Sequence, residues 1–294
     1  MSDKSTSFEL NGEKKFQDNF ADFDFSIPLV MGILNATPDS FYDGGQYLNR
    51  EVLFNRVSSM VNDGVDIIDV GGVSTRPGAA FVSEEEELIR ILEPLHLIKK
   101  EFPHLPVSID TFRSSVATAC VLEGADMIND ISGGTLDDAM FETIARLKIP
   151  YVLMHIQGAP ETMQQSPIVN RVVEKVHSFF KERVAMLLEL GVADVILDPG
   201  FGFGKSLGCN FMLLNNMEQL RVHNLPLLAG ISRKSMINKV LDTKPEEALN
   251  GTSVLHLMAL QQGANLLRVH DVKEAKEVIK LFQYSSTARC EDAD

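Results

Sequence analysis

One phrase recurs along this chain: a helical stretch, a glycine, a small or acidic residue, then an apolar run ending on a polar side chain. It reads NDGVDIID at 62–69, LEGADMIND at 122–130, LELGVADVILD at 188–198 and LQQGANLLRVHD at 260–271. Gly64, Gly124, Gly191 and Gly263 fall where a helix is stopped by a residue in the left-handed conformation. The apolar runs are short and do not alternate, as expected of strands covered on both faces. A unit repeated with one grammar is repeated around one architecture.

Eight such runs can be marked, at 29–35, 66–72, 105–111, 125–131, 150–156, 193–198, 225–232 and 265–270. Helical segments separate most of them. SEEEELIRIL opens with Ser83 as N-cap and Glu86 three residues later, the signature of a capping box. RVVEKVHSFFKERVAMLLEL, at 171–190, carries an apolar face at helical spacing. Eight β-α units predict an α/β fold of the (β/α)8 TIM-barrel type rather than an open sheet. No shift in composition divides the chain, so residues 27–294 read as one barrel domain. The polar, acidic residues 1–26 read as a loose N-terminal extension, with a short hairpin at its end.

Composition removes whole classes of partner. A net charge of −14 and a pI near 4.9 argue against nucleic acid or an anionic membrane surface. No apolar run approaches the roughly 18 residues of a membrane span. The N-terminal segment has no apolar core of a secretory signal. Cys120, Cys209 and Cys290 are odd in number and lack metal-like spacing. They read as reduced thiols of a cytoplasmic protein.

The stretch DPGFGFGKS, at 198–206, resembles two nucleotide-binding motifs and completes neither. For a Walker A loop the first glycine would fall on Pro199; for a dinucleotide fingerprint the third would fall on Lys205. Both patterns need their glycines for close backbone approach to phosphate, so each miss counts against that use. Lys205 and Ser206 are expected to begin the next helix.

In a barrel of this kind the active site lies at the C-terminal ends of the strands. Here those ends read Asn35, Asp69, Asp110, Asn129-Asp130, His155, Asp198, Ser232-Arg233-Lys234 and Arg268-Val269-His270. A single Asp after a strand is often only a helix cap. Eight polar ends in register describe a polar pocket. Asp110, Asn129 and Asp198 suit a flat heterocycle, since a carboxylate can accept two parallel hydrogen bonds from an amino-pyrimidinone edge. Lys234, Arg268 and His270 form a basic group suited to anions. Asn35 could lend one neutral oxygen to Mg2+, which keeps several waters and takes oxygens from a phosphorylated substrate.

Taken together, MGILNATPDSFYDGG (31–45), IIDVGGVSTRPGA (67–79), SIDT (108–111), MINDISGG (127–134), MHIQGAPETMQ (154–164), ILDPGFGFGKS (196–206), GISRKSMI (230–237) and RVHDV (268–272) resemble the dihydropteroate synthase family. The resemblance runs in order from residue 29 to the C-terminal helix. It implies a barrel transferase of folate synthesis, a sulfonamide target. The reaction joins 6-hydroxymethyl-7,8-dihydropterin diphosphate to p-aminobenzoate, giving 7,8-dihydropteroate and pyrophosphate by an SN1-like, Mg2+-assisted departure of diphosphate. It also implies a homodimer through the outer helices, with small molecules as the only other partners.

Carried over by motif, Asp110, Asn129, Asp198 and Lys234 would hold the pterin, and Asn35, Arg268 and His270 the diphosphate, with Asn35 beside the metal. Thr75, Arg76, Pro77, Phe203 and Ser235 would contact p-aminobenzoate. Asp110, Lys234 and Arg268 would be the catalytic group. Asp69 would orient its neighbours, and His155 would be a packed, hydrogen-bonded rim histidine. The loops at about 36–47 and 73–82 would be mobile without ligands. The sequence departs from the family at Val73, where the pattern usually reads GGEST, which puts the anchoring of the second loop in question. Two other readings stay open: a methyltetrahydrofolate:corrinoid methyltransferase, and a catalytically silent relative that binds pterin or a partner protein.

Overall fold

A computed structural model describes residues 23–36, 46–74, 82–160 and 162–288 of the chain. Each of the eight apolar runs contains a strand: β1 (Leu29–Asn35), β2 (Ile67–Gly71), β3 (Val107–Asp110), β4 (Met127–Asp130), β5 (Tyr151–Met154), β6 (Val195–Asp198), β7 (Leu228–Ala229) and β8 (Leu266–Val269). All pair in parallel, in the order β6-β5-β4-β3-β2-β1-β8-β7. The ring is completed by a single parallel bridge, Leu197 to Leu227, with Leu197 N–H donating to the Pro226 carbonyl at 2.8 Å. The fold is the α/β TIM barrel that the sequence predicts.

Nine α-helices lie around this ring among the described residues: α1 (Gln46–Asn62), α2 (Glu84–Glu101), α3 (Ser114–Leu122), α4 (Met140–Leu147), α5 (Val172–Glu189), α6 (Leu207–Asn215), α7 (Ser235–Leu241), α8 (Leu249–Gln261) and α9 (Val272–Thr287). Ser83 caps α2 by accepting from Glu86 N–H at 3.2 Å. The return bond of the expected capping box is not made, because the Glu86 carboxylate accepts from Arg90 one turn later. On α5 the buried positions Val172, Val176, Phe180, Val184 and Leu187 form the apolar stripe read from the sequence.

The recurring phrase has a physical basis at both of its punctuating positions. All four predicted helix-ending glycines have φ between +82° and +100°. After three of them, the polar residue two places on completes the neighbouring strand's ladder. Asp66 accepts from Val30 N–H, Asp126 from Val107 N–H, and Asn265 Oδ1 from Leu227 N–H. Without that acceptor, a backbone donor at the start of each strand would be buried unpaired.

Strand alternation then sorts the side chains. Outward-facing Ile68, Val70, Ile109, Ile128, Leu153, Leu197, Leu267 and Val269 pack with the helices in one large core. Inward-facing Met31, Ile67, Met127, Val152, Ile196, Leu228 and Leu266, one from each of seven strands, form a small apolar layer inside the barrel. Phe23, Phe25 and Leu29 pack against that layer, so the end of the stretch read as an extension helps to close the barrel floor. Two residues beyond Ile67, Met127, Ile196 and Leu266 come Asp69, Asn129, Asp198 and Arg268. The barrel interior is therefore apolar below and polar above. That step of two residues builds the site.

Candidate active site

Asp69, wholly buried in β2, is the hub of the polar layer. Its Oδ2 accepts from Arg268 Nε at 2.6 Å and from Asn129 Nδ2 at 3.0 Å. Its Oδ1 has no partner among the described residues. Arg268 also donates through Nη2 to Asp110 Oδ2 at 2.6 Å. Burial pushes the Asp110 carboxyl up to about 7, with Arg268 opposing the rise and Asp69 adding to it. Burial works against the charge on Arg268, but Asp69, Asp110 and Asp198 together hold it above its ordinary value. Asp110, Asn129 and Arg268 are thus brought together as expected. Asp69 orients two of them, the role the sequence suggested.

Asp198 ends β6 and turns the chain. Its Oδ1 accepts from Gly200 N–H at 2.8 Å. Burial raises its carboxyl, and the Gly200 N–H, Lys234, Arg268 and Lys205 pull it down. The glycines serve packing rather than phosphate. A Cβ on Gly200 would lie 2.1 Å from the His155 carbonyl oxygen, and one on Gly204 would lie 2.6 Å from Gln157; both have φ of +66°. Lys234, the residue before α7, places Nζ 4.1 Å above the centre of the Phe203 ring, a cation-π contact. Its amine is lowered to about 8, chiefly by burial, with Asp198 and Asp110 opposing and Arg268 adding to the fall.

Ser206 does begin the next helix, capping α6 by accepting from Cys209 N–H. Lys205 does not. Only 4% exposed, it turns into the protein and donates to the carbonyls of His155, Gly200 and Phe203 at 3.1, 2.8 and 3.0 Å. The GKS similarity to a phosphate loop offered no sign of this inward turn.

On the anion side, the Ser232 hydroxyl accepts from His270 N–H at 3.1 Å and lies 3.0 Å from His270 Nδ1. A hydroxyl that already accepts in this way can donate its proton to Nδ1, which leaves the imidazole proton on Nε2. Burial first, then Arg268, lowers the ring to about 4, so it is neutral near pH 7. Arg233 is not a free cation; it adopts φ +54° and grips both oxygens of Asp271. Asn35 is exposed at the end of β1 and Ser235 is exposed at the start of α7. No group of three His, Cys, Asp or Glu side chains able to hold a metal occurs among the described residues. A single neutral amide oxygen at Asn35 fits a Mg2+ ion that keeps several waters and takes its other oxygens from a phosphorylated substrate.

Thr75, Arg76 and Pro77 lie outside the described residues, as do the central parts of the two loops expected to move. Both roots of the second loop are described, and two arginines hold them. Arg90 Nη1 donates to the Gly72 carbonyl at 3.1 Å. Arg113 Nη2 donates to the Val82 carbonyl at 2.8 Å and pairs with buried Glu87, which also accepts from Thr111 at 2.6 Å. Val73 carries no charge, yet the chain on either side of its loop is tethered.

His155 is buried and packs edge-on to Phe179 at 5.0 Å, and burial lowers its ring to about 3. It is a packed histidine, although Nδ1 finds no hydrogen-bond partner among the described residues. Asp130, next to Asn129, points the other way: it accepts from Ser132, Gly134 and the Tyr151 hydroxyl and shapes its own loop. Sequence reasoning assigned no role to Ser232, Glu87 or Asn210. The one signal for Ser232 was its place on a strand end.

Eight parallel strands with carboxylates, an amide and two cations in their upper layer define an enzyme barrel with a polar, charged site at one end. Residues 31–270 match the family described as pterin binding enzyme. The dihydropteroate synthase of Escherichia coli strain K12 is 43% identical over 268 residues, covering 90% of this chain and 94% of that protein. Among solved structures, the Yersinia pestis dihydropteroate synthase with a sulfonamide drug superposes with a TM-score of 0.84 at 40% identity, over 90% of this chain and 97% of that one. The Xanthomonas albilineans dihydropteroate synthase in complex with 7,8-dihydropteroate gives 0.80 at 35%, over 91% and 97%. The chain belongs to the pterin-binding enzymes and, among them, to the dihydropteroate synthases, which are transferases.

Proposed function

We propose that the upper layer of this barrel binds 6-hydroxymethyl-7,8-dihydropterin diphosphate and p-aminobenzoate and joins them as follows. The observation that carries this reading is the convergence of Asp110, Asn129, Asp198, Lys234 and Arg268 on one polar layer of buried and half-buried groups. Asp198 and Asp110 accept from the donor-rich edge of the pterin, and Asn129, oriented by Asp69, supplies both a donor and an acceptor. Arg268, the Nε2–H of neutral His270 and the amide of Asn35 hold the diphosphate. Mg2+ bound with it would neutralise charge on the leaving group. The two known-relative readings left open earlier fare unequally: the diphosphate-side residues have no purpose in a methyltransferase.

The reaction breaks the bond between the pterin methylene carbon and the diphosphate oxygen, and the electron pair leaves with pyrophosphate. Ionised Asp110 favours the cation left on the methylene, an effect strengthened by the exclusion of water. The amine of p-aminobenzoate, already unprotonated at neutral pH, forms the new C–N bond and then loses a proton. No residue is needed as a general base. Phe203 offers an apolar wall for the aminobenzoate ring, with Ser235, Thr75, Arg76 and Pro77 as its further contacts.

We further read the protein as a cytoplasmic homodimer. Met212 on α6, Val240 and Leu241 on α7, and Val254 and Leu257 on α8 are exposed apolar residues on helices that pack together. Cys120 and Cys209 are free and buried. No helix among the described residues is long and apolar enough to cross a membrane.

The two halves of the site can be tested apart. Asp198→Ala and Asn129→Ala should weaken binding of a pterin analogue and leave inhibition by pyrophosphate nearly intact. His270→Ala should do the reverse. Pterin binding lost in His270→Ala but kept in Asp198→Ala would contradict the assignment.

A further inference from the structure

We propose that Lys205 is a positioning residue for the second substrate, holding the Phe203 ring in place from beneath the turn that carries it. This rests on the reading above in which Phe203 lines the aminobenzoate site. The Lys205 ammonium has three protons and three carbonyl partners: His155 at the end of β5, and Gly200 and Phe203 in the turn. It therefore ties the turn after β6 to the neighbouring strand and to itself. The Gly200 carbonyl is shared, accepting from Phe203 N–H at 3.1 Å as well as from Lys205. Asn210 grips the same turn from α6, accepting from Gly202 N–H at 2.7 Å and donating to the Lys205 carbonyl at 3.1 Å.

These bonds fix the peptides on both sides of Phe203. The ring is nearly buried and sits under the Lys234 ammonium. Burying a lysine without a directly bonded carboxylate is costly, and an apolar side chain of equal length would avoid that cost. Here the three carbonyls drawn to Lys205 Nζ offset part of that cost. Burial lowers its amine to about 7, with Asp198 opposing and Lys234 adding to the fall, so the group is held by dipoles more than by an ion pair. Lys205 does not touch the space above Phe203; it acts through the turn.

A double-mutant cycle on the full enzyme tests this. Lys205→Met should raise KM for p-aminobenzoate by about tenfold while kcat at saturation changes by less than about twofold, the pattern of lost positioning rather than lost chemistry. Phe203→Ala should raise the same KM. In the Phe203→Ala background, Lys205→Met should add less than about twofold. Lys205→Met without effect on KM, or with the same factor in both backgrounds, overturns the proposal. Phe203→Ala without effect on KM would instead remove Phe203 from the aminobenzoate site, and the proposal with it. If Lys205→Met does not fold, Lys205→Gln, which keeps one donor, goes through the same cycle with the same direction expected and the same outcomes decisive.

Discussion

Arg268 on β8 donates across the barrel to Asp110 on β3, Nη2 to Oδ2 at 2.6 Å, while its Nε holds Asp69. One cation thus serves two carboxylates. In the proposed function, the pterin edge competes for the same Asp110 oxygen and diphosphate for the same guanidinium. In that reading the Asp110–Arg268 ion pair gives way to hydrogen bonds from the neutral pterin edge to Asp110 and an ion pair between Arg268 and diphosphate. Both half-buried charges then remain hydrogen-bonded.

Gly200 N–H already occupies Oδ1 of Asp198, which leaves Oδ2 to accept from a ligand. Asp198→Asn would turn an acceptor into a donor facing the ligand's own donors. The expected cost to binding of a pterin analogue is about 2–4 kcal/mol, measured by titration calorimetry. Unchanged affinity would remove Asp198 from the pterin contacts.

The pH profile follows from two shifted groups. Asp110, raised to about 7, gains its negative charge as pH rises through that value; Lys234, lowered to about 8, loses its positive charge above it. kcat/KM for the pterin diphosphate should therefore rise through about pH 7 and fall above about pH 8, a narrow bell. Asp110→Asn should abolish the rising limb, at a large loss of rate, and leave the falling limb in place. A rising limb that survives in Asp110→Asn would assign it to another group.

A structural prediction concerns Tyr151, whose hydroxyl donates to Asp130 at 2.6 Å in a fully buried contact. Burial raises the Asp130 carboxyl, and the Tyr151 hydroxyl is the first of the bonds that oppose the rise. Tyr151→Phe keeps the ring and removes that donor. It should cost about 1–3 kcal/mol in urea denaturation, because a buried acceptor loses a partner. Pterin affinity should be little changed, since Asp130 faces away from Asn129.

Most of the fold was legible, for a reason visible in single residues. Gly64, Gly124, Gly191 and Gly263 mark helix ends through a backbone conformation that few other residues tolerate, so the repeat survives in the letters. Asn129 and Asp198 were legible because each stands near the end of a buried strand, two places after the inward apolar Met127 and Ile196. Lys205 was not. Its ammonium meets carbonyls from residues 155, 200 and 203, and which backbone oxygens converge at a point is a property of the closed barrel. Ser232 and Glu87 were missed for the same cause: their partners, His270 and Arg113, are 38 and 26 residues away in the chain. The capping box failed locally because Arg90, one turn on, competes for Glu86.

Val73 gives the most direct test of the whole account. The roots of its loop are held by Arg90 and Arg113 without a carboxylate at position 73, and the sequence carries every residue of the proposed pterin and diphosphate sets. The measurement is pyrophosphate release by wild type and Val73→Glu, with pterin diphosphate, p-aminobenzoate and Mg2+. Wild type should release pyrophosphate in step with dihydropteroate, and Val73→Glu should change KM for p-aminobenzoate more than single-turnover chemistry at saturation. No release from wild type, with activity restored by the glutamate, would contradict the account and mark residue 73 as the lesion of a catalytically silent protein.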